Sequence, residues 1–399
     1  MSELPAQVSF VLATHNRRQV ALDTLARLAQ HYPPGGSVEV IAVDNASTDG
    51  TADAIAAQYP QVNLIRRDDN RGSCAKAFGI ARAAGEFIVF LDDDSCPRAA
   101  SIERMITHFR ADPHLAAAGF TVHLPDGGRE SSALPDVFVG CGVGLRASVL
   151  RAVGGLDARF FMQAEEYDVC FKLVAAGHRI RVFDDLHVDH LKTPTARRSP
   201  RTLYYDTRNN LIVAARYLPT DLERIYRQDW AQRYGWLAEC QRQRPAFWRG
   251  AAVALLQRDV QRRAFARWRL TPAEADSLFR ISEIERHMAR LRASGAERIA
   301  FADLGKNIYP FYRAARLCGL QVALIADDRF TRPERAYRGI PILPTAELAR
   351  PDLDAIIVAN TSPAHARQTQ QRLAARFSIP LHAWFASSMV QEGEPLTRR

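Results

Sequence analysis

The chain has 399 residues, and at roughly 150 residues per domain that is two or three domains with room for a sizeable core. Apolar residues make up 47% and charged residues 24%, which excludes a mainly disordered chain, and no apolar run approaches the ~18 residues a membrane span needs. The net charge of +9 comes with 53 basic residues of which only Lys76, Lys172, Lys192 and Lys306 are lysine, an arginine habit that reflects composition, so nucleic acid is not an expected partner.

The first ninety residues alternate short apolar runs with stretches of helical period, the pattern of a parallel sheet covered by helices. Val8 to Ala13, Val38 to Val43, Leu64 to Ile65 and Phe87 to Leu91 read as strands. Between them Val20, Leu25, Leu28 and Tyr32, then Ala54, Ile55 and Tyr59, then Ala77, Ile80 and Ala84 keep helical spacing, with Gly85 as the last stop. Ser47 or Thr48 is suited to cap the second helix. After Pro97 a helix turns Ile102, Met105, Ile106 and Phe109 inward, and another runs from about Glu165 to Ala176 before Gly177.

The middle of the chain reads as helical and basic: Arg216 to Arg292 hold 16 arginines against 9 acids. From Pro245, the residues Trp248, Ala252, Leu256, Val260, Ala264 and Trp268 recur at i, i+4. Thr271-Pro272-Ala273-Glu274 reads as a capping box opening a second helix that Leu278, Ile281, Ile284, Met288 and Leu291 carry on to Gly295. A new alternation starts at Ile299, with strands to Leu304, at Val322 to Ala326, at Ala355 to Ala359 and near Leu381, and helices over Tyr309 to Leu317 and up to Phe377. The expected architecture is therefore α/β: a nucleotide-binding domain over 1–218, a basic helical segment over 219–295, and a small Rossmann-like α/β domain over 296–399. That last domain keeps one glycine where a dinucleotide fingerprint has three, so packing, docking or dimerisation is expected of it in preference to dinucleotide binding; Asp327 and Asp328 end its second strand where a ribose contact would fall, but strand-end acids are common. The six cysteines form no C-x-x-C pair, so reduced, mostly packed thiols are expected, with no metal held by cysteine. The Met-Ser-Glu-Leu-Pro opening lacks the basic start and cleavage site of a signal peptide, so the chain is expected in the cytoplasm.

The sharpest chemical feature is the run Phe87-Ile88-Val89-Phe90-Leu91 ending in Asp92-Asp93-Asp94. Three adjacent carboxylates at a strand's carboxyl end repel one another unless a cation compensates, and hard divalent ions prefer oxygen ligands. A metal site is therefore read here in preference to a plain turn. Asp44, at the end of the second strand, can accept a hydrogen bond from a nucleobase N–H, with Thr14 and Asn16 at the matching end of the first strand. Asp49 reads as a turn or cap residue, and Asn70-Arg71-Gly72 adds a turn with a charge suited to a nucleotide.

These stretches, with Thr14-His15-Asn16-Arg17, Gly154-Gly155-Leu156-Asp157, Glu165-Glu166-Tyr167-Asp168 and His190, stand in the order seen in glycosyltransferase family 2. Tyr204-Tyr205-Asp206-Thr207-Arg208-Asn209-Asn210 resembles the segment that follows in its rhamnosyltransferase-like branch. The resemblance covers about residues 8 to 218. It implies a GT-A fold, inverting transfer from a nucleotide-sugar to a glycan or lipid-linked acceptor in surface polysaccharide synthesis, and a Mg²⁺ or Mn²⁺ ion held through the Asp-x-Asp motif. By that resemblance Asp92 would contact the ribose, with Asp93 also among the nucleotide-sugar contacts, Asp94 would hold the ion and His190 would complete its shell. The departing nucleoside diphosphate develops charge that such an ion neutralises. The family usually shows Glu-Asp where this chain has Glu165-Glu166, so Glu166 is the expected base toward the acceptor hydroxyl and Glu165 the second choice. The alternative to an enzyme is an inactive sugar-nucleotide-binding scaffold.

Four tryptophans, Trp230, Trp236, Trp248 and Trp268, fall in the basic helical segment. Two readings stay open there: a peripheral contact with an anionic membrane surface, or packing on the catalytic domain. A homo-oligomer is also left open.

Overall fold

The computed structural model describes residues 7–35, 37–192 and 199–385. The chain divides into two compact units, Met1–Ser132 with Asp136–Glu274, and Ala133–Pro135 with Ala275–Arg399.

The first unit opens with strands and helices in alternation: β1 (Val8–Thr14), α1 (Arg18–His31), β2 (Val38–Asn45), α2 (Thr51–Gln58), β3 (Asn63–Arg67), α3 (Lys76–Arg82) and β4 (Phe87–Asp92). Next come β5 (Ser95–Pro97), α4 (Ser101–Ala111), β6 (Leu115–His123), β7 (Arg129–Glu130), β8 (Val143–Arg146), α5 (Ala147–Ala152), α6 (Glu165–Ala175) and β9 (Arg179–His190). They form one mixed sheet in the order β3-β2-β1-β4-β8-β6-β9-β5, with β7 beside β6. Phe87 to Leu91 are buried along their whole length, as a strand covered on both faces requires.

Register decides where the polar strand ends meet. β1 lies parallel to both neighbours, Thr14 opposite Asp44 and Ala13 opposite Asp92, so the carboxyl ends of β1, β2 and β4 share one edge. β5 and β9 pair antiparallel with Ser95 opposite His190, which carries the histidine to the residue after Asp94. The cap expected from Ser47 or Thr48 does not form. Gly50 is the N-cap of α2 in left-handed conformation without a side-chain bond, because Ser47 Oγ accepts from Asn16 N instead (2.9 Å) and Asp49 takes Thr51 N (3.0 Å).

Three long helices complete the unit: α7 (Pro200–Tyr217), α8 (Thr220–Cys240) and α9 (Arg244–Ala264). Ser199 caps α7 by accepting from Thr202 N (3.1 Å). α9 packs on α7, and Gly250 permits the approach, since a Cβ there would lie 2.7 Å from Tyr204 O. The side of α9 that packs carries Phe247, Gly250, Ala254 and Gln261, so the i, i+4 apolar series read from the sequence is not its inner face. Trp230 is wholly buried and belongs to the core, whereas Trp248 is exposed.

α10 (Pro272–Phe279) begins as the capping box requires: Glu274 N donates to Thr271 Oγ1 (3.2 Å) and Thr271 N to the Glu274 carboxylate (2.8 Å). The single helix expected from there to Gly295 is instead two. Arg280 takes a left-handed φ of 57°, and α11 (Ile281–Ala293) starts anew with Ser282 bonded to Asp276.

The second unit also contains β10 (Arg298–Ala302), α12 (Tyr309–Leu317), β11 (Gln321–Ala326), β12 (Ala336–Tyr337), β13 (Ile340–Leu343), β14 (Ala355–Val358), α13 (Pro363–Ala374) and β15 (Leu381–Ala383). Its sheet runs β12-β13-β11-β10-β14-β15, parallel throughout except for the β12–β13 pair. The α/β class, the helical middle and the C-terminal sheet domain are as the sequence led one to expect.

Candidate active site

The three strand-end aspartates have separate surroundings. Asp92 is half-exposed and pairs with Lys76 Nζ at 2.6 Å. Asp93 is buried, accepting from Thr14 Oγ1 (2.7 Å) and from Arg17. Burial pushes its carboxyl up to about 6, with Arg17 opposing. Asp94 is buried between Arg17 Nη2 (2.9 Å) and His190 Nε2 (3.2 Å). Burial opposes its charge, but the bonds from His190 and Arg17 prevail and hold it at about 2. The triad of like charges is thus compensated side chain by side chain, by Lys76, Arg17 and His190.

His190 is a two-sided connector. Nε2 faces Asp94 and, at 3.9 Å, Asp92, while Nδ1 faces Glu130 (3.1 Å) and the Cys141 thiol (3.4 Å). Burial disfavours the imidazolium, yet bonds with Asp94, Cys141 and Glu130 raise the ring to about 12. Lys192 holds Glu130 from the other side (3.1 Å). Asp92, Cys141 and His190 each offer a ligand atom within 4.8 Å of the others. These three come from β4, the turn before β8 and β9, so no local spacing in the sequence groups them.

The acids of α6 are held close by. Glu165 is buried and bonded by Ser73 Oγ, and its second oxygen has no partner among the described residues. Burial raises its pKa, and Glu166 is pushed up to about 8 by burial and by Glu165. A Cβ on Gly140 would stand 3.1 Å from Glu166 Oε1, and Gly140 O accepts from Lys76 Nζ (2.9 Å). Glu166, Gly140, Lys76 and Asp92 therefore form one chain of neighbours. Asp168 serves otherwise: it is buried, with Arg216 Nη1 at 2.6 Å and Lys172 Nζ at 2.9 Å. Arg216 also binds Asp157 (2.8 Å) and Gln261 (2.8 Å), tying α6 to α7 and α9.

The loop that delivers Glu165 is backbone-strained, since Phe161, Gln163 and Ala164 all have φ between 63° and 68°. Asn209 Nδ2 clamps it through Phe160 O, Met162 O and Gln163 O (3.0, 2.7 and 2.8 Å). From the other side Cys74 N donates to Phe161 O (3.2 Å). Gly72 must be glycine for that approach, because its Cβ would fall 2.2 Å from Phe161 O.

Among the expected nucleotide contacts, Asp44 is the best placed by its bonding. It is buried, Oδ2 accepts from Ser47 N (3.1 Å), and Oδ1 is left without a partner among the described residues. Asn16 instead joins two loops, with Oδ1 accepting from Thr48 N (2.7 Å). Asn70 closes its own turn on Gly72 N (2.8 Å), and Arg71 pairs with Asp69. Thr14 is taken up by Asp93. Lys76, Glu130 and Cys141 were not foreseen, and Arg17 stood only within the Thr14–Arg17 stretch without a role; Lys76 had a signal, as one of four lysines in an arginine-rich chain.

Residues 9–140 match the model of glycosyl transferase family 2. The pre-mycofactocin glycosyltransferase of Mycobacterium tuberculosis is 27% identical over 168 residues, covering 36% of this chain and 35% of that protein. The succinoglycan biosynthesis protein ExoO of Rhizobium meliloti is 41% identical over 112 residues, covering 26% and 30%. The chain thus spans about a third of the length of these relatives. Among solved structures, a mannosyltransferase of Pyrobaculum calidifontis in complex with GDP-Man and Mn²⁺ aligns at 20% identity over 64% of this chain and 78% of that one, with a TM-score of 0.46. Residues 1–349 of TarS from S. aureus align at 17% identity over 84% and 99%, with a TM-score of 0.47.

Proposed function

We propose that this chain, whose residues 9–140 belong to glycosyltransferase family 2, moves a sugar with inversion from a nucleotide-sugar donor to a glycan or lipid-linked acceptor in surface polysaccharide synthesis. It would work on the cytoplasmic side, at or near the membrane. The observation that carries the reading is the meeting, at one sheet edge, of the unpartnered Asp44 acceptor, the Asp92–Asp94 cluster with His190, and a carboxylic acid pushed up to about 8 at Glu166.

In this reading Asp44 Oδ1 receives a nucleobase N–H and Asp92 meets the ribose. Asp94 and His190 Nε2, an oxygen and an imidazole nitrogen 3.2 Å apart, fit a hard or borderline divalent ion, the proton on the ring being what such an ion replaces. A Mg²⁺ or Mn²⁺ ion held there would supply Lewis-acid neutralisation of the diphosphate. Lys76, raised above its ordinary pKa because Asp92 outweighs its burial, keeps a fixed positive charge between the nucleotide side and the acids. Glu166 takes the proton from the acceptor hydroxyl, and its high pKa matches it to that task near neutral pH. Glu165, fixed by Ser73, holds the start of α6 in place.

The test is a screen of nucleotide-sugars for transfer or slow donor hydrolysis, with and without chelator, on wild type and Asp94→Asn. Metal-dependent turnover that Asp94→Asn abolishes in a variant that still folds supports the reading. Donor binding with no turnover on any acceptor or water would favour the scaffold, and chelator-insensitive transfer would remove the ion from it.

A further inference from the structure

Six large apolar side chains stand out as exposed among the described residues, and four are on α9: Trp248 (66%), Leu255 (65%), Leu256 (82%) and Val260 (61%). On a wheel of 3.6 residues per turn they fall opposite Phe247, Gly250, Ala254 and Gln261, the side that packs. The amphipathic order is inverted, for the outer face of a water-facing helix should be polar. Arg249 and Arg263 are exposed on the same outer half, and Arg267 follows just past its end, with Asp259 the acid among them.

Beside this face lies a recess of about 360 Å³ between α8 and α9, lined by Thr220, Asp221, Arg224, Arg227, Leu255 and Arg258. Leu255 belongs to both features. The nearby Glu223 is fully buried and already engaged by Arg258 (2.8 Å), Arg262 and Arg269 (both 3.7 Å). Burial and Arg258 hold Arg227 below the ordinary guanidinium pKa against the opposing pull of Glu223 and Asp259.

We propose that the outer face of α9 is a lipid-contact surface for an anionic leaflet. Trp248, Leu255, Leu256 and Val260 enter the boundary between headgroups and acyl chains, Arg249, Arg263 and Arg267 meet lipid phosphates, and the Arg224–Arg227–Arg258 recess receives a phosphodiester headgroup. Charge complementarity selects this occupant, because a second copy of the chain would set arginines against arginines across a two-fold contact. The proposal rests on the membrane-proximal part of the function argued above. It does not depend on turnover.

The experiment is co-sedimentation of the full chain, without donor, on vesicles of phosphatidylcholine alone or with about 30% phosphatidylglycerol, at about 0.05 and 0.5 M salt. Binding should require the anionic lipid and fall at least ~10-fold at high salt. Arg249→Ser with Arg263→Ser and Leu255→Ser with Leu256→Ser should each weaken it by ~10-fold or more, and Arg224→Ser alone by ~5-fold, with melting unchanged. Trp248→Phe, a mild change, gives a check free of folding effects: quenching by bromine-labelled lipid should drop with it. Asp94→Asn should bind vesicles like wild type, so loss of catalysis and loss of lipid contact are told apart. Absent binding at low salt, equal binding to neutral vesicles, or indifference to all these substitutions overturns the proposal. So does a dimer in light scattering that Leu255→Ser with Leu256→Ser dissolves, which would make the face an interface between copies.

Discussion

Replacing Glu166 by Gln should stabilise the fold and stop the reaction together. Burial and Glu165 move the Glu166 carboxyl from 4.5 to about 8, which at ~1.4 kcal/mol per pH unit bounds the cost of ionising it at ~5 kcal/mol. Glu166 retains partial solvent exposure and its anion gains from Lys76, so the expected relief is smaller, ~1–3 kcal/mol. Since the folded pKa lies above the unfolded one, this group's contribution to stability is complete below pH ~4.5 and is lost as pH rises through about 8. Glu166→Gln should therefore melt like wild type near pH 4 and above it at pH 8 and beyond, by ~2–10 °C for a domain of this size. The ionised acid is the one that accepts a proton, so wild-type kcat/KM should climb toward pH 8 while the variant loses ~10²–10⁴ in kcat with donor affinity kept. Melting at several pH values, with initial rates on the best donor from the screen, measures both. A variant less stable at pH 8, or one within tenfold of wild-type kcat, refutes the reasoning. If Glu165→Gln alone gives the catalytic loss, the base is Glu165.

Lys76→Met leaves Asp92 without its cation and should cost ~2–4 kcal/mol in urea unfolding at pH 7, along with most donor binding. Glu130→Gln removes the carboxylate that steadies His190 Nδ1 and should weaken Mn²⁺-supported nucleotide binding ~10–100-fold by calorimetry, with Glu130→Asp recovering part of it. Asn209→Leu strips the clamp from the carbonyls of Phe160, Met162 and Gln163, predicting ~2–4 kcal/mol lost in unfolding and a fall in kcat larger than that in donor affinity.

The N-terminal half of the fold was legible because its strands are buried apolar runs and its helices keep their period. The polar strand ends followed from topology, which places Asp44 and Asp92 at one edge whatever the loops do. What escaped was set by pairing far along the chain. β9 brings His190 from about a hundred residues downstream to Asp94, and the Cys141 and Glu130 beside its ring come from two further elements, so no local spacing announces them. α9 misled for a different reason. Its apolar series is real, but periodicity gives a stripe and not its direction, and here glycine and small residues, with Phe247, make the packed side while the larger apolar residues look outward.

The lysines show how a rare residue type can carry information that a motif search passes over. Arginine supplies 49 of 53 basic residues, yet Lys76, Lys172 and Lys192 each pair with a carboxylate at 2.6 to 3.1 Å, and Lys76 and Lys172 are buried. A guanidinium is a planar fork that would overfill such positions, whereas an ammonium is a compact charge with three donors. Lys76 spends two of them on Asp92 and Gly140 O, and Lys172 donates one to Gly155 O while its charge pairs with Asp168. One thereby joins the aspartate cluster to the backbone under Glu166, and the other anchors the helix on which Glu166 stands. On this argument Lys76→Arg should fare little better than Lys76→Met, although it keeps the charge. A fully active, fully stable Lys76→Arg variant would mean that charge alone, without shape, suffices at the centre of this site.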